Sequence, residues 1–170
     1  MKRLSQFSTT AGRAEPLGVS IRDGEVNFAV YAPDAKRVFA HFFLPDTEEP
    51  QGKLELEHRT GKVFHICVEG LPTHWLYLLQ AEQKDAVKGK LVDTKFLLDP
   101  YAKAINRPLV WNAPLYQSDS PFFLPKAPLR TESFDWQGVT KPKIPQAQTI
   151  LYETHVKGFS QLCPQIPKAL

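Results

Sequence analysis

Between residues 17 and 82 the apolar positions recur with a period of two, the spacing of a strand with one buried face. In EVNFAVYAP (25–33), Val26, Phe28 and Val30 alternate with Asn27, Ala29 and Tyr31, and Asp23-Gly24 just ahead of the run is a tight-turn signal. RVFAHFFL (37–44) is a second run, closed by Pro45 and Asp46; both of its parities are apolar, so its inward face stays open. KLELE (53–57) sets Leu54 and Leu56 against Glu55 and Glu57, a strand with one wet side. KVFHICVEG (62–70) follows a turn at Thr60-Gly61, and HWLYLLQAE (74–82) follows Gly70-Leu71-Pro72. Strand-like runs this close together, with short turns and no convincing helix between them, predict an all-β, antiparallel sandwich or barrel. Phe28, Val30, Phe42, Phe64 and Ile66 are its expected core.

The pattern changes after residue 82. KDAVKGK (84–90) reads as a polar, exposed link. In FLLDPYAKAI (96–105), Asp99 is placed as an N-cap and Pro100 as the first helical residue, which predicts one or two helical turns. Residues 107–148 hold Pro, polar residues and isolated aromatics with no steady period, and read as a long loop with at most one short strand. So long a stretch without regular structure is unusual inside a compact domain and suits a linker laid across a neighbouring surface. Regular patterning returns in ILYETHVKGFSQ (150–161), a strand running into a turn at Gly158. A strand needs ladder partners, and the few residues behind it do not supply them.

Composition fits this picture: 170 residues, 42% hydrophobic and 23% charged, suffice for one good core or one domain with an extension. Fifteen Pro point to extended, irregular backbone in the later part of the chain. A net charge of +3, with Lys and Arg scattered, argues against nucleic acid as a partner. MKRLSQFSTT has a basic pair but no apolar stretch behind it, and no run is long enough to span a bilayer, so no membrane partner is expected. The two cysteines, Cys67 and Cys163, show no metal-ligand spacing and read as free thiols of a cytoplasmic protein.

No catalytic constellation emerges, and neither a metal nor a cofactor is expected. There is no nucleophile elbow and no Gly-rich loop opening a helix. His41, His58, His65, His74 and His155 share no ligand spacing, and His41 and His65, inside strands, read as structural histidines. The chemical hint is aromatic. Trp75 and Tyr77 lie two apart in a strand and share a face, so they either offer a flat platform to a sugar ring or belong to the core. Leu76 and Leu78 on the opposite face are the better core residues, which leaves both placements open.

GRAEPLGVSIRDGEVNFAVYAPDAKRVFAHFF, VEGLPTHWLYLLQAE, KFLLDPYAKAI and ILYETHVKGFSQLCPQIP, in this order, resemble the N-terminal region of bacterial glycogen debranching enzymes and isoamylases, in the α-amylase superfamily (glycoside hydrolase family 13). The resemblance is spread over residues 12–167, and the DPYAKA loop followed by YE-x-HV-x-GF is its most specific part. It implies an immunoglobulin-like (early-set) sandwich resembling a family 48 carbohydrate-binding module over 12–106, a Pro-rich linker over 107–148, and the first strand of a truncated (β/α)8 barrel over 149–170. It implies Asp99, Tyr101, Tyr152 and His155 at the barrel interface, and Trp75 and Tyr77 as carbohydrate contacts. In this family the carboxylates that cleave the glycosidic bond come from later barrel strands, so the chain alone is expected to be inactive and its parent an α-1,6-glucosidase. The expected partners are the missing glycosidase barrel and α-glucan (glycogen or maltooligosaccharide), the latter bound weakly or not at all. The chain departs from the family pattern where HWLYLLQAE replaces a Tyr-Gly-Tyr-Arg-Val run, where Val63 stands for a Trp, and where KDAVKGKLVDTKF replaces an Arg- and Pro-rich stretch. These departures count against tight glucan binding. Two other readings remain: a self-sufficient α-glucan-binding module, and an unrelated sandwich that mediates interactions.

Overall fold

The structure, a computed structural model, describes residues 2–3 (backbone only), 7–84, 89–93, 95–109, 121–129 and 135–166. It divides into two compact units, Met1–Glu132 and Ser133–Leu170.

The first unit is a sandwich of two sheets. One sheet runs β1 (Lys2–Arg3), β6 (Gly52–Glu55), β5 (Ala35–Phe43), β9 (Leu76–Lys84), β10 (Leu91–Asp93), with β11 (Ala127–Pro128) also on β9. The other runs β2 (Thr9–Thr10), β8 (Val63–Glu69), β4 (Glu25–Tyr31), β3 (Gly18–Arg22), with β7 (His58–Thr60) also on β8. All pairs are antiparallel except β1 with β6. The hairpin between β3 and β4 closes on Asp23 (φ 51°) and Gly24 (φ 82°), the double left-handed turn that an Asp-Gly pair favours.

The core lies between the sheets. Val26, Phe28, Phe64, Ile66 and Val68 from one sheet meet Val38, Ala40, Phe42, Tyr77 and Leu79 from the other, and Val30 packs on them half-buried. Phe28 sits edge-on to both Phe42 (5.8 Å) and Tyr77 (5.6 Å), T-shaped contacts that aromatic quadrupoles favour. The open parity of β5 is thereby resolved: Ala40 and Phe42 point inward.

The other parity of β5 and β9 is buried as well, which explains why both strands are apolar on two faces. Phe43, Leu76 and Leu78 form a second cluster beneath Phe96, Leu98 and Leu124. Leu97 bridges Leu79, and β11 pairs with the start of β9 through Ala127↔Tyr77 and Pro128↔Leu76. Residues 121–129 therefore belong to the sandwich unit, although their sequence reads as part of a linker beginning at 107. Pro121, Pro125 and Pro128 hide the assignment, because a strand of two residues leaves no periodic trace. Of the exposed link at 84–90, residues 84, 89 and 90 are exposed and 85–88 lie outside the described residues.

The helical turn anticipated after Asp99 is a reverse turn, with Ala102 N donating to Asp99 O at 3.0 Å. The second unit carries little regular structure: a 3-10 turn at Gln146–Gln148 and α1 (Val156–Phe159). The strand anticipated over 150–156 is not formed. No described strand offers Ile150–His155 a ladder, and a strand without a partner gains nothing over a hydrated chain. Among the described residues no helix is long and apolar enough to cross a membrane.

Candidate functional site

Trp75 and Tyr77 do share a face, but it is the inner one. Tyr77 is 1% exposed; Trp75 is half-buried against the core, edge-on to Phe7 at 6.1 Å and tilted on Phe42 at 6.1 Å. The outward sugar platform is thus corrected for Tyr77. Leu76 and Leu78 do not decide between the faces because a strap covers the outer face too, so those leucines are buried without displacing the aromatics from the core.

The turn at 99–102 carries the most specific polar geometry. Tyr77 Oη donates to Asp99 Oδ2 at 2.7 Å in a buried pair, and Tyr101 N donates to Asp99 Oδ1 at 2.8 Å. Burial, followed by the Asp99 carboxylate, pushes the Tyr77 phenol far above its ordinary range, so it acts as a fixed donor. Asp99, 4% exposed, is an anchor that closes its own turn and pins it to the core rather than a helix cap. Tyr101 is half exposed and lies over Gly18, where an added Cβ would come within 2.6 Å of Tyr101 Cβ. Gly18 also has φ 86°, so backbone conformation and close approach both demand glycine.

The other two interface candidates lie in the second unit. His155 caps α1, its Nδ1 accepting from Gly158 N at 2.9 Å. Tyr152 is exposed and meets Phe159 edge-on at 6.1 Å. Asp99 and Tyr101 are brought together by one turn, whereas His155 and Tyr152 each contact α1, at Gly158 and at Phe159.

The strand histidines take different environments. His65 places Nδ1 2.7 Å from Ala11 O and Nε2 2.9 Å from Thr60 Oγ1; a carbonyl only accepts, so Nδ1 is the donor of the first bond. His41 is buried on the outer face of β5, edge-on to Phe96 at 4.8 Å. Burial first, then the charge of Lys53, lowers its pKa to about 4.

Two polar features escaped sequence reasoning. Asn27 is buried and imitates a strand, accepting from Arg13 N at 2.7 Å and donating to Arg13 O at 2.9 Å. Lys126 is 1% exposed, its Nζ 2.5 Å from Glu48 Oε2 and 5.0 Å from the Phe43 ring centre. A single Lys inside the apolar run FFLPKAPL was the available signal. Among the described residues no group of three or more His, Cys, Asp and Glu side chains is placed to hold a metal ion.

Comparison with known proteins agrees with this architecture. The chain is 36% identical over 152 residues to a Haemophilus influenzae glycogen operon protein GlgX homolog, covering 85% of this chain and 22% of the relative. It is 34% identical over 160 residues to a chloroplastic isoamylase 1 of Oryza sativa subsp. japonica (89% of this chain, 20% of the relative). It is 30% identical over 172 residues to a glycogen debranching enzyme of Klebsiella pneumoniae (96% and 26%). The chain thus spans about a quarter or less of these relatives. In fold it is similar to part of the catalytic module of the pneumococcal glycogen-degrading virulence factor SpuA, with TM-score 0.51 and 21% identity over 66% of this chain and 16% of that one. Residues 16–102 match the family of carbohydrate-binding module 48, the isoamylase N-terminal domain, and the chain belongs to that family.

Proposed function

We propose that this chain is the non-catalytic sandwich module of an α-glucan debranching hydrolase, and that it serves as a packing partner for a catalytic barrel rather than as a sugar clamp. The observation that carries the reading is the family match over 16–102, joined to relatives named isoamylase and glycogen debranching enzyme of which the chain spans 20% and 26%. The immunoglobulin-like label suggested by sequence is consistent with two antiparallel sheets around a shared core. In the whole protein the activity would be hydrolysis of α-1,6 branches of glycogen or limit dextrin, with the carboxylates supplied by the barrel.

The buried Tyr77 favours scaffolding over glucan capture. Its ring is packed on Phe28 and its hydroxyl is committed to Asp99, so neither is open to a sugar. The part of the Pro-rich segment 107–148 that follows the 121–129 strap and the ILYETHV stretch remain, in this reading, the passage to the barrel and its first strand, the latter forming only when neighbouring strands pair with it.

Incubation of the purified chain with glycogen, pullulan and limit dextrin tests the first half. No reducing sugar should be released, and release that survives purification of a core-disrupted control would overturn it. Titration with maltoheptaose tests the second half. No saturable change in Trp fluorescence is expected up to about 10 mM, a concentration that would reveal binding of about −3 kcal/mol. A saturable response would favour the glucan-binding reading.

A further inference from the structure

Lys126 is a cation placed where water does not reach. Its ammonium lies over the Phe43 ring, 3.4 Å from Pro121 O, with Glu48 Oε2 at 2.5 Å. Glu48 belongs to the β5–β6 connection and serves two cations at once, its Oε1 lying 3.4 Å from Arg107 Nη1. Arg107 in turn donates to Phe122 O, and to Leu124 O at 3.2 Å. Asn106 completes the arrangement by exchanging bonds with the Lys126 backbone, accepting from its N through Oδ1 at 2.7 Å and donating to its O at 2.9 Å.

All of these contacts but the Glu48–Arg107 pair involve the strap 121–129, and the strap covers a sheet edge. β5 occupies one side of β9; the other is shared by β10, Leu97 and β11, and β11 supplies only two residue pairs. Leu129 N adds one further bond to Trp75 O at 2.9 Å. So short a ladder is weak by itself, because strands this brief do not hold without a packed face or a tether.

We propose that Glu48, Lys126 and Arg107 form an electrostatic latch that holds the 121–129 strap on β9, and that removing the Glu48 charge releases the strap while the two-sheet core stays folded. The asymmetry of buried ion pairs is the physical basis. Deleting one partner leaves the other as an uncompensated buried charge, whereas replacing both with neutral groups of similar shape is close to neutral. Glu48 is partly exposed, whereas Lys126 is not, so the loss falls on the strap, whose exit is Lys126's route to water.

Amide hydrogen exchange on the intact chain tests this, reading Lys126 and Leu129 as strap amides and the β4 and β8 amides as the core. Glu48→Gln should accelerate exchange of the strap amides at least ten-fold and leave the core amides unchanged. Adding Lys126→Met to Glu48→Gln should restore protection of Leu129, because a neutral side chain of similar length no longer needs a counter-charge. Unchanged strap exchange in Glu48→Gln would overturn the latch, since apolar contacts would then suffice. Equal acceleration of strap and core, or failure of the double variant to restore Leu129, would overturn the separate release.

Discussion

At the residue scale, two buried polar groups set opposite demands. Tyr77 has its partner, so Tyr77→Phe keeps the packing on Phe28 but strands Asp99 Oδ2 in a buried position. A loss of about 1.5–3 kcal/mol is expected, the range for a hydrogen bond to a charged group. Urea denaturation measures it, and a loss below half a kcal/mol, on the order of a neutral surface change, would mean that water reaches Asp99 in the variant. His41 has the opposite problem, because its neutral form is the one the fold accepts. Its pKa falls from the ordinary 6.5 to about 4 on folding. Between those values the unfolded chain takes up a proton that the folded chain refuses, so stability falls as pH drops from 6.5 towards 4 and the effect is absent above 6.5. Lys53 on β6 adds to the depression, while Gln80 on β9 and Asp93 on β10 oppose it. The full shift corresponds to about 3 kcal/mol. Comparing wild type with His41→Leu at pH 7 and pH 4.5 removes the titration of other groups. The difference should move in favour of the variant at the lower pH, and a difference constant across that range would refute the assignment.

Elements divide into those that announce themselves and those that borrow their stability. β4, β5, β8 and β9 were legible because seven to nine residues give alternation room to repeat. β2, β10 and β11 hold two or three residues each and exist only because a longer strand presents an edge, a tertiary cause that a local pattern does not contain. The same cause reversed the reading of ILYETHV, where strand propensity is present and a partner is not. The face of Trp75 and Tyr77 stayed open in the sequence for a related reason, since parity tells which residues share a face but not which face is covered twice. A break in the chain at Asp99-Pro100 was legible, but as a helix start rather than a reverse turn, and its docking on β3 was not legible at all, because contact with Gly18 joins positions far apart in the chain. Gly18→Ala tests that docking, with Gly24→Ala as control. Both glycines are left-handed (φ 86° and 82°), but a Cβ at Gly24 meets nothing within 4 Å, while one at Gly18 meets Tyr101. Gly24→Ala should cost about 1 kcal/mol of backbone strain, and Gly18→Ala clearly more. Equal losses would mean that the 99–102 turn moves aside freely.

For the whole molecule, burial is distributed very unevenly between the two units, and stability should follow it. Every described residue from 135 to 166 is exposed except Ser160 and Cys163, which are intermediate. Ile150, Leu151, Val156 and Leu162 are each more than nine-tenths exposed. Side chains that bury nothing contribute little to folding free energy, since stabilisation scales with the apolar area removed from water at about 25 cal/mol per Å². The sandwich, with its core between two sheets and a second cluster outside one of them, should therefore carry nearly all of it. Removing residues 149–170 is expected to leave the thermal midpoint within about 2 °C of the full chain, a free-energy change of half a kcal/mol or less for a domain of this size. The same deletion should reduce association between chains, because large apolar side chains without cover recruit partners. Scanning calorimetry and sedimentation velocity over a range of concentrations read the two effects separately. A midpoint lowered by more than about 5 °C would mean that the segment stabilises the sandwich after all, at a cost above 1 kcal/mol on its removal. Protection of the Leu151–Val156 amides equal to that of β4, in a dilute monomer, would lead to the same conclusion by an independent route, since only a strand with partners resists exchange to that degree.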